Sequence, residues 1–474
     1  MMSLSRASKS VNGYLHGPDG QFTSVTIDSR QVNRGDLFVA IVGEHNDGHQ
    51  YLLQAEQQGA AGAMVSVFSK QNLTEDDSSH IFSQIEVEDT TLALGQLAAD
   101  WRSRFNLPMV AITGSNGKTT VTSMVATVLG QVGHCLKPQK SFNNQWGVPL
   151  TLLGMNSTHK FAVIEMGTSH NGEIDYLTKI ARPNIALINN VSAAHGEGLG
   201  DVEQIAIAKA EIFHGLDAGG IAVLNADDVF FDFWKSYFYS NVENGEVISF
   251  ALNTGADVTA SDVQVSQSGS RFKLSVAGER FDTYLPLPGE HNIRNAVAAA
   301  AACLKCGVSA EVIAASLEKV ESVPGRLNIR SGLNHSTIID DTYNANPGSV
   351  RAGIDVLSEF PGIRILVLGV MAELGNDAAK FHRDIGEYAS NAGIQKMYCL
   401  GSESSPHADD YIRGFGNAAV VVGTVEELTS RLKDQQADDV VILVKGSRSS
   451  RMERIVEQIV RTEKPASPED KNKC

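Results

Sequence analysis

The residues best suited to chemistry are a lysine and a threonine that follow a short glycine turn. The turn and its continuation read Gly114, Ser115, Asn116, Gly117, Lys118, Thr119 and Thr120. Glycines let backbone N–H groups close around an anion, and the N-terminus of a following helix adds positive potential. The Lys118 ammonium can reach terminal phosphates, and the Thr119 hydroxyl can ligate magnesium. The turn therefore predicts a phosphate-binding loop, against the alternative of a glycine turn that binds nothing.

The flanking segments are those that a phosphate-binding loop requires. The apolar segment 107–112 is typical of a buried strand. After the turn, apolar residues recur at helical spacing, at Val121, Met124, Val125, Val128 and Leu129. The common GxxxxGK[ST] form would place a glycine where this chain has Ile112, so the loop is the shorter Gly-x-x-Gly-Lys-Thr-Thr.

Three further polar residues follow the loop in regions that alternate between strand and helix patterns. Glu165 ends an apolar strand, where a carboxylate beside a phosphate loop can hold magnesium, although a solvated surface role is the alternative. His195 follows the strand that ends near Asn189 and could ligate a metal or serve a structural role. Lys209 lies on an amphipathic helix, where a solvated lysine near Glu211 is the simplest interpretation.

Polar loops also follow strands in the last third of the chain. The segments 340–347 and 445–448 each come after an apolar strand pattern. Ligands of α/β proteins bind at the carboxyl ends of parallel strands, so both loops are candidate anion or ligand sites. The segment 289–295 opens a helix and could place an amide against a nucleotide base.

The order of apolar runs predicts an α/β protein with three domains. We expect a small α/β domain at 1–86, a central domain at 87–322 and a C-terminal Rossmann-like domain at 323–474. The central domain should resemble a P-loop ATPase, with a mostly parallel sheet that is extended by antiparallel hairpins between residues 257 and 287.

Composition narrows the class of partner and the compartment. The net charge of −16 argues against a general nucleic-acid binder. We expect no membrane span, because no apolar run approaches about 20 residues, and no signal peptide, because residues 1–17 contain no apolar core. Five scattered cysteines fit a reducing cytoplasm, and Cys303 and Cys306 are interpreted as buried structural thiols rather than a metal or redox pair.

Taken together, these motifs resemble the Mur ligases, the ATP-dependent amide-forming enzymes of peptidoglycan precursor synthesis. The resemblance runs nearly end to end and rests on Asp28-Ser29-Arg30, 35–40, Asp47-Gly48-His49, 113–120, Asn143-Asn144, Glu165-Met166-Gly167, 208–211, 289–292, Gly325-Arg326, 343–347 and 445–449. The last two loops are similar to those of the branch that adds D-alanyl-D-alanine. The Asp-Asn-Pro-Arg motif typical of the diaminopimelate-adding branch does not occur in the sequence. Val370 stands where the D-alanyl-D-alanine branch usually has aspartate, which puts a polar role of that position in doubt.

The resemblance implies a role for each candidate residue. ATP would be held by Gly114, Ser115, Asn116, Gly117, Lys118, Thr119, Thr120, Asn292, Arg326 and Asp341. Magnesium would be held by Thr119, Glu165, His195 and Lys209, the last as a carbamate, and catalysis would rest on Lys118, His195 and Lys209. The UDP end of the substrate would bind at Ser29, Arg30, Asn46, Asp47, Gly48 and His49, and the dipeptide at Asn344 and Asn346.

The resemblance also implies substrates, location and assembly. ATP and Mg²⁺ would serve a reaction between UDP-MurNAc-tripeptide and D-alanyl-D-alanine, in a cytoplasmic and monomeric enzyme whose domains close on substrate. Two alternatives stay open from sequence. One is another Mur-type or folylpolyglutamate-type amino-acid ligase, and the other is an ATP-binding switch that forms no bond.

Overall fold

The computed structural model describes residues 1–43, 46–68, 82–139, 141–192, 199–401 and 407–461. Three larger β-sheets of five, nine and six strands follow one another along these ranges. The expected α/β class is therefore confirmed, whereas the domain boundaries after residues 86 and 322 remain predictions. No helix in the described part of the chain is long and apolar enough to cross a lipid bilayer.

The first sheet is small and mostly parallel. Its region contains β1 (Met2–Ser3), α1 (Leu4–Ser10), β2 (Tyr14–His16), β3 (Gln21–Phe22), β4 (Ser24–Thr26), β5 (Asp36–Val39), α2 (Leu52–Gln57), β6 (Gly62–Val65) and β7 (Gln84–Glu86). The strand order is β2-β7-β6-β5-β4, with only β2 antiparallel to its neighbour, while β1 and β3 form a separate pair. Strands β5 and β6 are buried throughout, as expected for central parallel strands.

The central sheet supplies the phosphate loop. Its region contains α3 (Thr90–Arg102), β8 (Met109–Thr113), α4 (Lys118–Leu129), β9 (Cys135–Leu136), α5 (Gly147–Leu153), β10 (Phe161–Glu165), α6 (Glu173–Ala181), β11 (Ile185–Ile188), α7 (Val202–Ala210), β12 (Ile221–Asn225), α8 (Phe231–Asn241), β13 (Glu246–Ala251), β14 (Val258–Ser266), β15 (Gly269–Val276), β16 (Glu279–Leu285), α9 (Glu290–Lys305) and α10 (Ala310–Leu317). The strand order is β16-β15-β14-β13-β12-β11-β8-β10-β9.

This order places β8 at a topological switch point. The chain continues from β8 to β10 on one side and returns to β11 on the other, and both pairs are parallel. Such a reversal opens a crevice at the carboxyl end of the strand between them. The phosphate loop follows β8 directly, so it lies in that crevice. Strands β14, β15 and β16 form the antiparallel hairpins that the alternating sequence predicts.

The third sheet brings three loops to one edge. Its region contains β17 (Asn328–Ser331), β18 (Thr337–Asp341), α11 (Pro347–Ser358), β19 (Ile363–Leu368), α12 (Ala378–Asn391), β20 (Lys396–Leu400), α13 (Ala408–Phe415), β21 (Ala419–Val422), α14 (Val425–Gln435), β22 (Val440–Lys445) and α15 (Glu453–Ile459). The strand order is β17-β18-β22-β19-β20-β21. Lys445 is the register partner of both Asp341 and Leu368, so the loops after β18, β19 and β22 begin side by side.

Candidate active site

The phosphate loop has a backbone that requires glycine at its last position. Gly117 precedes α4 with φ +79°, in the left-handed region that side chains rarely adopt. A Cβ atom there would collide with the Asn295 side chain and would lie 2.6 Å from the Asn189 amide nitrogen. The loop is therefore pressed against two asparagine side chains and leaves no room for a substituent. This geometry presents the N-terminus of α4, the part of a helix that attracts anions.

Lys118 lies folded against this loop. Its Nζ donates hydrogen bonds to the carbonyl oxygens of Gly114 at 2.7 Å and of Ser115 at 3.4 Å. Burial lowers the pKa of Lys118, the negative charge of Glu165 opposes that shift, and the positive charge of Arg326 adds to it. The ammonium group is thus held beside the loop, where phosphate oxygens would bind.

Glu165 is brought to the loop as the sequence suggests. Its side chain is almost fully buried at the end of β10. The Thr119 hydroxyl donates to one carboxylate oxygen at 2.9 Å, and the Asn143 amide donates to the other at 2.8 Å. Both oxygens are therefore oriented by neighbours. A hydroxyl and a carboxylate oxygen in contact are hard donors of the kind that magnesium prefers, so these two residues fit such an ion.

Lys209 lies on a different element, within electrostatic range of Lys118. It lies on α7 and is only 1% exposed, which rules out the solvated role that the helix pattern allows. Burial lowers the pKa of Lys209 well below its usual value, and the charge of Lys118 lowers it further. His195, the other residue expected near a second metal ion, lies outside the described residues.

A cavity of about 440 Å³ adjoins the phosphate loop on the side of α9. The residues expected to bind nucleotide that line it are Asn116, Gly117, Thr120, Asn292, Arg326 and Asp341. The Asn292 amide donates to the Pro288 carbonyl at 2.7 Å, which holds its side chain at the cavity wall. His291 also lines the cavity, and burial lowers its pKa to about 4, so its ring is neutral at physiological pH.

Asn116 links the central sheet to the third sheet. Its backbone N–H donates to the Asn190 side chain at 2.9 Å, and its carbonyl accepts from the Asn189 amide at 2.9 Å. The Asn346 amide nitrogen donates to the Asn116 side-chain oxygen at 2.8 Å. The Asn346 side-chain oxygen accepts from the backbone of Ser349 and caps α11. The Asn346 amide, expected to seat a dipeptide, is thus engaged in joining the two sheets.

A buried ion pair organises the third-sheet side of the site. The Lys445 ammonium lies 2.6 Å from the Asp341 carboxylate and donates to the Asn344 carbonyl at 2.8 Å. Both side chains are at least nine-tenths buried. Burial raises the pKa of Asp341 and lowers that of Lys445, and their mutual attraction opposes both shifts. The pair fixes the loop after β18 relative to the end of β22.

Arg326 lies where three cavities meet, one of them the nucleotide cavity described above. Its guanidinium stacks 4.3 Å from the centre of the Tyr343 ring and donates to the Thr119 hydroxyl at 3.4 Å. It lines the nucleotide cavity, a second cavity of about 730 Å³ and a third of about 230 Å³. The second also contains Lys118 and Glu165, and the third contains Lys118. Three cavities therefore converge on the phosphate loop, which carries Lys118, and on Arg326.

A fourth cavity, of about 770 Å³, lies beside the first sheet. Four residues expected to bind the UDP end line it: Ser29, Arg30, Asn46 and Gly48. Asp47 and His49 instead shape its loop, because Asp47 accepts from the His49 backbone at 2.9 Å and ring at 2.7 Å. The Arg30 guanidinium holds the pKa of Asp28 down to about 2. Lys137 and Phe142, from beyond β9, close the cavity from the central region.

Comparison with known families decides the class of this protein. Three family models match in order, described as the Mur ligase family catalytic domain (21–102), the Mur ligase middle domain (112–303) and the Mur ligase, glutamate ligase domain (325–448). The UDP-N-acetylmuramoyl-tripeptide–D-alanyl-D-alanine ligase of Escherichia coli strain K12 is 40% identical, covering 96% of this chain and 97% of that protein. The chain belongs to the Mur ligase family.

Solved structures show the same similarity in three dimensions. MurF from Acinetobacter baumannii matches with a TM-score of 0.87 at 32% identity, covering 96% of this chain and 98% of that one. MurF from Thermotoga maritima, solved in complex with ADP, gives 0.79 at 27% identity, with coverages of 92% and 96%. As a Mur ligase, this chain is an enzyme that uses ATP to form a peptide bond.

Several residues of this Mur ligase site carry no individual role in the sequence interpretation. Asn143 was part of a motif, but its bond to Glu165 depends on a loop that returns from beyond β9. Asn295 lies one helical turn after Asn292, and its position against Gly117 follows from how α9 packs on α4. Tyr343 is marked only by its place in the loop after β18. The helical spacing of Asn292 and Asn295 was the one signal available for them.

The Asp341–Lys445 pair generates a test of the site's framework. We expect Lys445→Met to lower the free energy of unfolding by about 3–5 kcal/mol, because Asp341 is left as an unpaired buried charge. Denaturant unfolding measures the change, and the exposed Lys433→Met serves as a matched control with an effect below about 0.5 kcal/mol. The double variant D341N/K445M should regain most of the loss. A double variant as unstable as Lys445→Met would contradict the ion-pair account.

Proposed function

We propose that this Mur ligase joins D-alanyl-D-alanine to UDP-MurNAc-tripeptide at the expense of ATP, giving the pentapeptide precursor of peptidoglycan. The observation that carries the proposal is the convergence of three cavities on the phosphate loop and Arg326. A ligase with three substrates needs one cavity each for nucleotide, acyl donor and acceptor. The names of the relatives at 32–40% identity, which cover nearly the whole chain, specify the same reaction.

The reaction proceeds in two steps that the site can position. An oxygen of the tripeptide carboxylate attacks the γ-phosphorus of ATP, and ADP leaves to give an acyl phosphate. The dipeptide amine then attacks the acyl carbon, forms the C–N bond and releases a proton to the medium while inorganic phosphate departs. Lys118 and Arg326 neutralise the negative charge that is transferred, which is the main contribution a protein makes to phosphoryl transfer.

Magnesium fits the site through Thr119 and Glu165. Among the described residues no three His, Cys, Asp or Glu side chains form a metal cluster, so phosphate oxygens would complete the ligand set. When bound, the ion neutralises phosphate charge. We further propose that Lys209 is carbamylated and, with His195, holds a second ion. Support comes from the burial of Lys209, since a buried ammonium is unfavourable and an uncharged amine can add carbon dioxide.

UDP-MurNAc-tripeptide would lie across two regions of the protein. The UDP end would occupy the cavity beside the first sheet, with Ser29, Arg30, Asn46 and Gly48 in contact and Asp47 and His49 holding the loop. The peptide would extend through the cavity that contains Glu165 toward Lys118. A cytoplasmic location and a monomeric state remain predictions from the sequence and the family.

The proposed reaction is tested by its substrate requirement. Phosphate release should need UDP-MurNAc-tripeptide and D-alanyl-D-alanine together, and should fail when glutamate or diaminopimelate replaces the dipeptide. A coupled phosphate assay with each component omitted in turn measures this. Steady ATP hydrolysis without the UDP substrate would instead indicate a nucleotide switch, and turnover with another amino acid would indicate a different ligase.

Lys118 should be needed for turnover rather than for folding. We expect Lys118→Ala to reduce kcat by at least ~10²–10³, the range for loss of one preorganised charge-stabilising group. Steady-state kinetics measures the loss, and thermal unfolding checks that the fold is retained. The exposed Lys319→Ala is the matched control and should retain activity. Turnover of Lys118→Ala close to that of the unmodified enzyme would remove Lys118 from the catalytic role.

The carbamate proposal gives a separate outcome. Lys209→Ala should be inactive, and acetate or formate should restore part of the activity by supplying an anionic oxygen in place of the carbamate. Activity of the unmodified enzyme should fall in buffer depleted of bicarbonate and return when bicarbonate is added. The exposed Lys235→Ala serves as the control variant. Full activity of Lys209→Ala in depleted buffer would exclude the carbamate.

A further inference from the structure

Glu211 lies two residues after Lys209, and its side chain caps a different helix. It begins the 3-10 turn Glu211–Gly215 that continues α7. One carboxylate oxygen accepts from the Gly172 N–H at 2.8 Å, and the other accepts from the Asp175 N–H at 3.1 Å. Both N–H groups lie at the start of α6, whose N-cap residue is a glycine and offers no side chain for capping. Glu211 therefore supplies, from another helix, the cap that Gly172 cannot.

The rest of the 3-10 turn packs against the same helix. The Thr178 hydroxyl, in α6, donates to the Ile212 carbonyl at 2.8 Å. A Cβ atom at Gly215 would collide with the Thr178 carbonyl, so the two backbones are in direct contact. The Nδ1 atom of His214 lies 2.7 Å from the Asp175 carboxylate. The end of α7 is thus held against α6 at several points.

Helix α6 is preceded by a loop that lines the cavity proposed for the peptide. This peptide loop, residues 166–172, connects the strand that ends at Glu165 to α6. The residues of the peptide loop that line the cavity of about 730 Å³ are Gly167, Thr168, Ser169, Asn171 and Gly172. At its start, the Gly167 N–H donates to the Asn143 carbonyl at 2.9 Å. Its other end is bound by Glu211, so the cavity wall between these two points depends on that carboxylate.

A second carboxylate holds the middle of the peptide loop. Glu173, the first residue of α6, accepts from the N–H groups of Ser169 at 2.6 Å and of His170 at 3.0 Å. The Thr168 hydroxyl donates to the His170 carbonyl at 2.7 Å. Glu173 and Glu211 together therefore bind backbone N–H groups along the loop and at the helix end, and they fix the shape of the cavity wall.

We propose that Glu211 is a positioning residue for the peptide part of the UDP substrate. It holds the peptide loop in place relative to α7, the helix that carries Lys209. A peptide that extends along this wall needs the wall in place for its carboxylate to reach Lys118, because small displacements of a bound substrate are costly. The inference rests on the proposed function, since that function assigns the peptide to this cavity.

The effect of Glu211 should be confined to the peptide. The residues that line the cavity beside the first sheet, where the UDP end would bind, come from segments other than the peptide loop. Two ligands that differ only in the peptide, UDP-MurNAc-tripeptide and UDP-MurNAc, therefore separate a positioning role from a general loss of structure.

Calorimetry of these two ligands without turnover tests the proposal. Glu211→Gln keeps one oxygen acceptor but directs an NH₂ group at the second backbone N–H, so one charge-assisted hydrogen bond is lost and the other is weakened. We expect the Kd of UDP-MurNAc-tripeptide to rise about 10-fold, the scale of one such bond. The Kd of UDP-MurNAc should stay unchanged. In steady-state kinetics, the KM for UDP-MurNAc-tripeptide should rise while the KM for ATP is retained.

Two further variants complete the experiment. Glu203→Gln is the matched control, because Glu203 is an exposed carboxylate of α7, and it should change neither Kd. Glu173→Gln loosens the middle of the peptide loop and should reproduce the selective loss. It keeps the proposal testable if thermal unfolding shows that Glu211→Gln does not fold.

The outcomes separate the two proposals. If the folded variants weaken both ligands equally, or neither, Glu211 has no positioning role, although the proposed function stands. If the unmodified enzyme binds neither UDP ligand, the proposed function is overturned together with this inference.

Discussion

The site depends on the hydrogen bond between the Asn346 amide and the Asn116 side-chain oxygen, which joins the third sheet to the phosphate loop. The loop is itself pressed between asparagines of its own sheet, so it can move little without breaking several bonds. Arg326 adds a second link through Thr119. The carboxyl ends of two parallel sheets therefore face each other, and the three cavities lie between and beside these contacts.

Charge burial is the second constraint, and it explains why the loops are so tightly held. Glu165, Lys209, Asp341 and Lys445 are buried and Lys118 is half-buried, and each of these charges is unfavourable unless partners or ligands compensate it. Asp341 and Lys445 compensate each other and stabilise the framework. Lys118 and Glu165 lie beside the loop, where nucleotide and metal would bind. The Asp341–Lys445 pair also lines the nucleotide cavity, so its substitution is tested first by stability, whereas substitution of Lys118 is tested by turnover.

Sequence reasoning predicts local elements well because hydrophobic periodicity and strand ends are local properties. The strand predicted to end at Glu165 is observed as Phe161–Glu165, and the hairpins predicted between residues 257 and 287 are confirmed. The helix predicted to carry Lys209 spans Val202–Ala210 and continues as a 3-10 turn over Glu211–Gly215. Contacts between distant segments were beyond such reasoning. Asn116 and Asn346 are 230 residues apart, and no pattern in either segment specifies their bond.

The sequence predicts those parts of the site whose chemistry is carried by a single loop or strand end. The loop at Gly114 and the carboxylate at Glu165 meet as expected. The left-handed conformation of Glu373 had no signature in the sequence, because the burial of its neighbours Met371 and Leu374 comes from packing against distant segments. Val370 illustrates the same point: its backbone carbonyl, which any residue could supply, accepts from Ser447 and Ser450.

The central claim is that the tripeptide carboxylate is phosphorylated at the junction of the three cavities. It is tested most directly with UDP-MurNAc-tripeptide that carries ¹⁸O in its terminal carboxylate, incubated with ATP and D-alanyl-D-alanine. Mass spectrometry of the inorganic phosphate should find one ¹⁸O atom transferred per turnover, because the acyl oxygen leaves with the phosphate. Phosphate without ¹⁸O would show that ATP is hydrolysed by water, and would contradict the account.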